Sequence, residues 1–247
     1  MRGRRPDQQD TIAIVNNYRG SCNEHYFGLF DGHGGTVSAE VTANCLHQII
    51  AEHLTNYESS SQFDLNFIFT SSFKYLQREL SKRNVQDGTA ANIVYIRNSI
   101  LYVANAGDAR SVLSRDGIAY ALSRDHKPEN ADERERIEEL GGFVTESKRV
   151  NGVLALSRAL GDCDLQPPIS CEPVVTVTEL LPDDNFIIMG CDGLWDMISN
   201  EKAVELIQNC HSPAAAAVKL RDYAYTLGST DNISVIVIAI HYTPPTT

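Results

Sequence analysis

Apolar residues recur in short, nearly unbroken runs over residues 11–15, 26–30, 92–96, 100–104, 111–113, 118–122, 174–177, 185–191 and 233–240, a pattern that predicts β-strands. The tripeptides Arg97-Asn98-Ser99 and Arg115-Asp116-Gly117 each separate two runs, so they read as hairpin turns in antiparallel sheet. Apolar positions three and four apart predict helices over 36–53, 63–82, 201–209 and 213–227. Ser212 before Pro213 marks a helix start and Gly228 a stop. A shorter helix is expected over 131–140, with Asn130 as N-cap, Glu133 as its reciprocal partner and Gly141-Gly142 at its end. Helices come in pairs and strands in runs, which favours an α+β fold of antiparallel sheets covered by helices over alternating βαβ units. Ser59-Ser60-Ser61 reads as a loop between helices, and no repeat or Pro/Gly/Ser-rich linker divides the chain, so one domain is expected.

The 247 residues are 43% hydrophobic, enough to build a sizeable core and to exclude a disordered or collagen-like chain. A formal net charge of -11 repels a phosphate backbone and argues against a nucleic-acid partner. No apolar stretch approaches the roughly 20 residues of a bilayer span, and the first residues lack a signal-peptide core, so a soluble, intracellular protein without a membrane span is expected. The six cysteines contain no C-x-x-C pair and read as free, mostly buried thiols.

The Walker phosphate loop, the G-x-S-x-G elbow and the H-E-x-x-H zinc helix are all missing, as is a Cys followed by Arg six residues later. What remains is aspartate. Asp116-Gly117 reads as a simple hairpin turn, but Asp31 and Asp192 each follow an almost wholly apolar strand, and Asp231 precedes one. Asp10 and Asp108 also border strands. A carboxylate at the tip of a buried strand is costly unless a positive charge meets it, and no matching lysines accompany these. Strand-end aspartates in this number point to a hard divalent cation, since carboxylate oxygens suit Mg²⁺ or Mn²⁺.

Seven motifs then carry a family resemblance. Asp31-Gly32-His33-Gly34-Gly35 after an apolar strand resembles the central motif of the metal-dependent type 2C (PPM-type) protein Ser/Thr phosphatases. Arg5 with Asp10 is similar to the family's opening motif, residues 104–110 to its middle one, and residues 122–128 to the segment before a short helix. Residues 156–162, 191–196 and 231–234 complete the set in family order, across nearly the whole chain. The resemblance implies two packed antiparallel β-sheets flanked by helix pairs, a four-layer αββα sandwich. It implies hydrolysis of phosphoserine and phosphothreonine in proteins by a water or hydroxide bridging two Mg²⁺ or Mn²⁺ ions. Carried over by motif, Asp31 bridges the two ions, the Gly32 carbonyl binds one, and Asp192 and Asp231 bind the other. Asp10 acts through metal-bound water, Arg5 holds the substrate phosphate and His33 is the general acid. Asp108 and Asp196 match a weaker third-metal site. From the residues alone, Asp108 also reads as a turn residue beside Arg110, and Asp196 as a helix cap near Glu201. Arg158 and Asp162 read as an ion pair with each other, His126 as structural and Trp195 as a core anchor.

Two departures from the family pattern stand out. Gln9 replaces a common Glu, which removes a charge near the metals and is expected to lower metal affinity or activity; Asp87 replaces a frequent small residue. The chain also opens close to Arg5, so residues 1–247 are expected to be a single monomeric catalytic domain excised from a larger protein and lacking the family's usual first strand. The expected compartment is the cytoplasm, with the nucleus as the alternative. The alternative function is a catalytically weak phosphatase-like module that binds and regulates a signalling partner, for which Gln9 is the hint. Residues 131–150 and 166–171 are the places expected to set substrate selectivity.

Overall fold

In the computed structural model, which describes residues 1–58 and 64–241, the predicted strands assemble into two antiparallel sheets. The first runs in the order β1 (Thr11–Val15), β2 (Glu24–His33), β3 (Gly88–Arg97), β4 (Ile100–Ala106) and β8 (Val174–Glu179), with the two-residue β7 (Leu160–Gly161) paired to the start of β3. The second runs β10 (Val235–Ala239), β9 (Asp184–Gly190), β5 (Arg110–Arg115), β6 (Ile118–Ala121). Helices α1 (Val37–Tyr57) and α2 (Leu65–Lys82) cover the outer face of the first sheet, while the short α4 (Asp192–Trp195), α5 (Asn200–Ile207) and α6 (Pro213–Thr226) cover that of the second. Helix α3 (Ala131–Glu139) stands apart on its own small cluster of Ile137, Val150, Leu156, Ala159 and Ile169.

Strand alternation explains the layers. In β2, Tyr26 and Phe30 point into the core shared with α1 and α2, while Phe27 and Leu29 point between the sheets toward Leu113, Ile187 and Met189. β3 repeats the division with Tyr95 on one side and Val94 and Ile96 on the other. Both faces of these central strands are buried, so their sequences read as unbroken apolar runs instead of clean alternation. The expected α+β sandwich with helix-covered faces is thus the observed fold. No helix among the described residues is long and apolar enough to cross a membrane.

Local signals held where they were self-contained. Asn98 (φ 56°) turns β3 into β4, and Asp116 and Gly117, both at positive φ, turn β5 into β6. Ser212 caps α6 by accepting from the Ala215 amide, and Pro213 opens the helix. The predicted loop at Ser59-Ser60-Ser61 and the predicted helix start at Phe63 lie outside the described residues. Other expectations change. Only Cys191 among the cysteines is buried; Cys22 is exposed and the rest are half-buried. Helix α1 is not capped by its own Thr36 but by Asp87, fifty residues on, whose carboxylate accepts from the Val37 and Ser38 amides and the Ser38 hydroxyl.

The reciprocal cap expected of Asn130 and Glu133 does not form. Asn130 donates to the Asp125 carbonyl instead, and Glu133 turns inward. There its carboxylate accepts from Arg158 (2.6 and 2.9 Å), Arg136 (2.8 Å) and Ser157 (2.7 Å). Arg136 continues to the Ser157 and Pro168 carbonyls and Arg158 to that of Glu172, so one buried charge ties α3 to two separate loops. Burial alone would raise the Glu133 carboxyl, but hydrogen bonds from Arg158, Ser157 and Arg136 outweigh it and hold it at about 2. The folded value lies below the unfolded 4.5, so the stability Glu133 supplies is full above about pH 4.5 and is lost as pH falls toward about 2. Glu133→Ala should therefore cost about 3 kcal/mol near neutral pH, because it removes the buried carboxylate that two half-buried guanidinium groups share. Denaturant melts should show the gap between wild type and variant closing across that acid window.

Candidate metal centre

Antiparallel register decides where the aspartates meet. The end of β2 lies beside the start of β1, the start of β3 and, through β3, the end of β4. In the other sheet, the end of β9 lies beside the starts of β5 and β10. Asp10 precedes β1, Asp31 sits in the last turn of pairing of β2, Asp108 follows β4, Asp192 follows β9 and Asp231 precedes β10, so all five gather at one end of the sandwich. Asp31 is not at a strand tip as expected: β2 continues through Gly32 and His33, opposite Ala90, Thr89 and Gly88. Asp192 is the first residue of α4, where the helix N-terminus favours its negative charge.

Two groups of ligand atoms lie within 4.8 Å of one another: Asp10, Asp31 and Cys191, and Asp31, Asp108 and Asp192. Asp31 belongs to both. Asp231 adds its charge to Asp10, Asp31 and Asp192, and Asp196 adds its charge to Asp192. Burial and then this crowding push Asp31 well above the usual carboxylate range, and burial with Asp108 and Asp231 pushes Asp192 up to about 7. Burial raises Asp10 as well, and its buried Oδ2 has no hydrogen-bond partner among the described residues. A buried, unpaired carboxylate oxygen amid like charges is what a cation would relieve. Cys191 hardly competes as a ligand: burial pushes its thiol well up, and its sulfur is already engaged by the Asn232 carbonyl and the Ser234 amide. The usable donors are oxygens, which fit Mg²⁺ or Mn²⁺ and not a soft metal.

Positive groups meet the rim of this cluster. Arg5 places its guanidinium fork on Asp231 (2.9 and 2.5 Å) while more than half of its side chain stays exposed. The segment bearing it is held by Asn232, which accepts from the Gln9 amide (2.7 Å) and donates to the Arg2 and Asp7 carbonyls (both 2.8 Å). The Gln9 carbonyl also packs on Gly32 so closely that a Cβ there would meet it at 2.4 Å. Asn232 was overlooked as a site residue; its place beside Asp231 in the motif was the available signal.

Several sequence pairings are replaced. Asp108 is not a surface turn residue beside Arg110. It is buried and bonded to Lys127, while Arg110 forks onto Asp125. Burial opposes the Lys127 charge, but Asp108, Asp196 and Asp192 raise its pKa overall. Asp196 does not cap α5, because Ser199 does so through the Lys202 amide; Asp196 faces Lys127, Asp108 and Asp125 instead. Arg158 and Asp162 do not pair: Arg158 belongs to Glu133, and Asp162 meets His33 Nε2 at 2.8 Å. Trp195 is an anchor, donating to the Arg110 and Gly190 carbonyls. His126 is buried against Gly107, and that burial lowers it to about 4.

The family profile "Protein phosphatase 2C" matches residues 1–233 of the chain. "Probable protein phosphatase 2C 7" of Oryza sativa subsp. japonica is 41% identical over 241 residues, 96% of this chain and 63% of its own length. "Protein phosphatase 2C homolog 1" of Schizosaccharomyces pombe is 36% identical over 249 residues, 97% of this chain and 71% of its own length. This chain therefore spans less than two thirds of the rice relative. Among solved structures, a C. elegans sex determining protein superposes with a TM-score of 0.85 at 26% identity, over 97% of this chain and 63% of that one. The serine-threonine phosphatase 2C from Toxoplasma gondii also reaches a TM-score of 0.85, at 21% identity over 96% of this chain and 92% of that one, a likeness of fold.

The carboxylate crowding has a measurable consequence. Asp192 holds its proton in the fold up to about 7 but in the unfolded chain only to 3.8, so its contribution to stability is full below 3.8 and is lost as pH rises through about 7. In chelator, the thermal midpoint should fall as pH rises from about 4 to about 7, and Mn²⁺ should restore it. Asp192→Asn should flatten that slope, shrink the Mn²⁺ shift and raise the chelator midpoint at the alkaline end by about 3 °C, given ~2–4 °C per kcal/mol at this size.

Proposed function

This chain belongs to the protein phosphatase 2C family, and we propose that it hydrolyses phosphoserine and phosphothreonine in proteins. The observation that carries this reading is the convergence of Asp10, Asp31, Asp108 and Asp192 at one end of the sandwich, with the buried Asp10 Oδ2 left unpartnered. The family is metal-dependent, and the acidic groups around Asp31 suit divalent cations. On this reading Asp31, the Gly32 carbonyl, Asp192 and Asp231, with Asp10 nearby, would hold two Mg²⁺ or Mn²⁺ ions, and Asp108 and Asp196 would form a weaker third site. When bound, such ions supply an activated water and neutralise charge on the transferring phosphoryl group.

The remaining work falls to the chain's own side chains. Arg5 offers phosphate oxygens a forked, permanently charged donor, and its exposure leaves room for a substrate. The departing serine or threonine oxygen needs a proton, and His33, two residues from Asp31, is the group to give it. Gln9 leaves every proposed aspartate ligand in place, and its backbone N–H, not its side chain, helps to anchor the segment bearing Arg5. The loops around α3, which expose Phe143 and Val153, are suited to discriminate among substrates. We place the protein in the cytoplasm or nucleus as a monomeric catalytic unit.

A phosphothreonine peptide supplied with Mn²⁺ should be hydrolysed, and chelator should abolish the activity. Asp192→Asn should lower kcat on the order of 10²–10³-fold. Thiol alkylation should leave turnover intact, since no cysteine has a chemical part. A metal-loaded protein no faster than the Asp192 variant would overturn the proposal.

A further inference from the structure

His33 and Asp162, distant in sequence, form a pair that the metal chemistry does not require. His33 Nε2 lies 2.8 Å from Asp162 Oδ2, and Asp162 is only 4% exposed. No other donor reaches the Asp162 carboxylate among the described residues. A buried carboxylate oxygen can only accept here, so the hydrogen between them sits on His33 Nε2. That leaves Nδ1 as the ring nitrogen free to exchange a proton.

The surrounding chain is built to present this carboxylate. Asp162 sits at φ 45°, a left-handed conformation costly for a residue with a side chain. It is fixed from both sides: its amide donates to the Asp87 carbonyl (2.9 Å), and the Gln77 side chain donates to the preceding Gly161 carbonyl (2.9 Å) and accepts from the Gly161 N–H (2.8 Å). The β7–β3 pairing sets Gly161 opposite Gly88. A Cβ at Gly88 would lie 2.2 Å from Asp162 Oδ2 and 2.4 Å from His33 Nε2, so the pair occupies the space that glycine leaves open. Strained backbone over-determined by its surroundings is characteristic of functional sites.

We infer that Asp162 is the positioning residue of His33, accepting from its Nε2–H and so fixing the ring with Nδ1 toward the leaving group. This rests on the phosphatase reading above. As water adds to phosphorus and the P–O bond to the serine or threonine oxygen breaks, the His33 imidazolium passes its Nδ1 proton to that oxygen, and phosphate and the alcohol depart. The imidazole is left neutral, still donating Nε2–H to Asp162.

The test compares two esters and one spectrum. A phosphothreonine peptide releases an alkoxide that must be protonated, whereas p-nitrophenyl phosphate releases a nitrophenolate that leaves without a proton. Asp162→Asn should lower kcat on the peptide about 10²-fold, and by at least about tenfold more than on the aryl ester. In a His33→Ala background the same substitution should leave the ratio of the two rates unmoved. In the metal-free protein, long-range ¹⁵N–¹H spectra of the imidazole should show Nε2–H for His33 in wild type and a mixture of tautomers in Asp162→Asn. Gly88→Ala should reproduce both effects by displacing the pair. Equal losses on the two esters, or an unchanged His33 tautomer, would overturn the positioning role while leaving the phosphatase reading intact. Wild-type protein that hydrolyses neither ester with Mn²⁺ would sink both.

Discussion

Mutual repulsion among buried carboxylates is the constraint on which the rest of this structure depends. Asp10, Asp31, Asp108, Asp192 and Asp231 are held close enough that burial and neighbouring charge raise the pKa values of Asp10, Asp31 and Asp192. Such an arrangement persists only if the backbone bearing it cannot relax. The two sheets supply that rigidity: each aspartate lies on or beside a strand whose register is set by neighbours buried on both faces. Stability is therefore drawn from the core and stored at one end as cation affinity.

The cations that the chain itself provides stand at the edge of the cluster and not inside it. Lys127 answers Asp108, and Arg5 answers Asp231. Asn232 clips the segment bearing Arg5 to the loop bearing Asp231, which makes one unit of residues more than two hundred positions apart. On the other side, Glu133 gathers Arg136, Arg158 and Ser157 and so fixes the loop that leads through Leu160 and Gly161 to Asp162. The same path ends on His33. Two polar anchors thus hold the two flanks of the aspartate cluster, each built from several hydrogen bonds within the protein.

Strands, hairpin turns and the Ser212–Pro213 helix start were legible because each depends on residues close in sequence. The candidate site was legible for a different reason, since aspartates placed beside apolar strands have few uses other than binding cations. Pairings were where sequence reasoning failed. Asn130 and Glu133 have the spacing of a reciprocal cap, yet Glu133 is worth more to two half-buried arginines than to a solvated helix end. Arg158 and Asp162 are four residues apart and oppositely charged, yet they flank the short strand β7 and their side chains reach different partners. Asp196 lost its expected capping role to Ser199, and Asp108 found Lys127 in place of Arg110.

Alternation, turn chemistry and the position of each aspartate relative to a strand end are local properties, and the sequence by itself determined them: an antiparallel sandwich, its helix pairs, and the residue types able to hold a hard cation. Only the tertiary structure decided which charges face one another. Antiparallel register gathers strand ends from both sheets at one pole, and a charge pairs with whatever the fold brings within about 3 Å, however far away it lies along the chain. That is why Asp31 could be picked out from its strand alone, while Asp162 could be assigned to His33 only after the start of β3 had met β7.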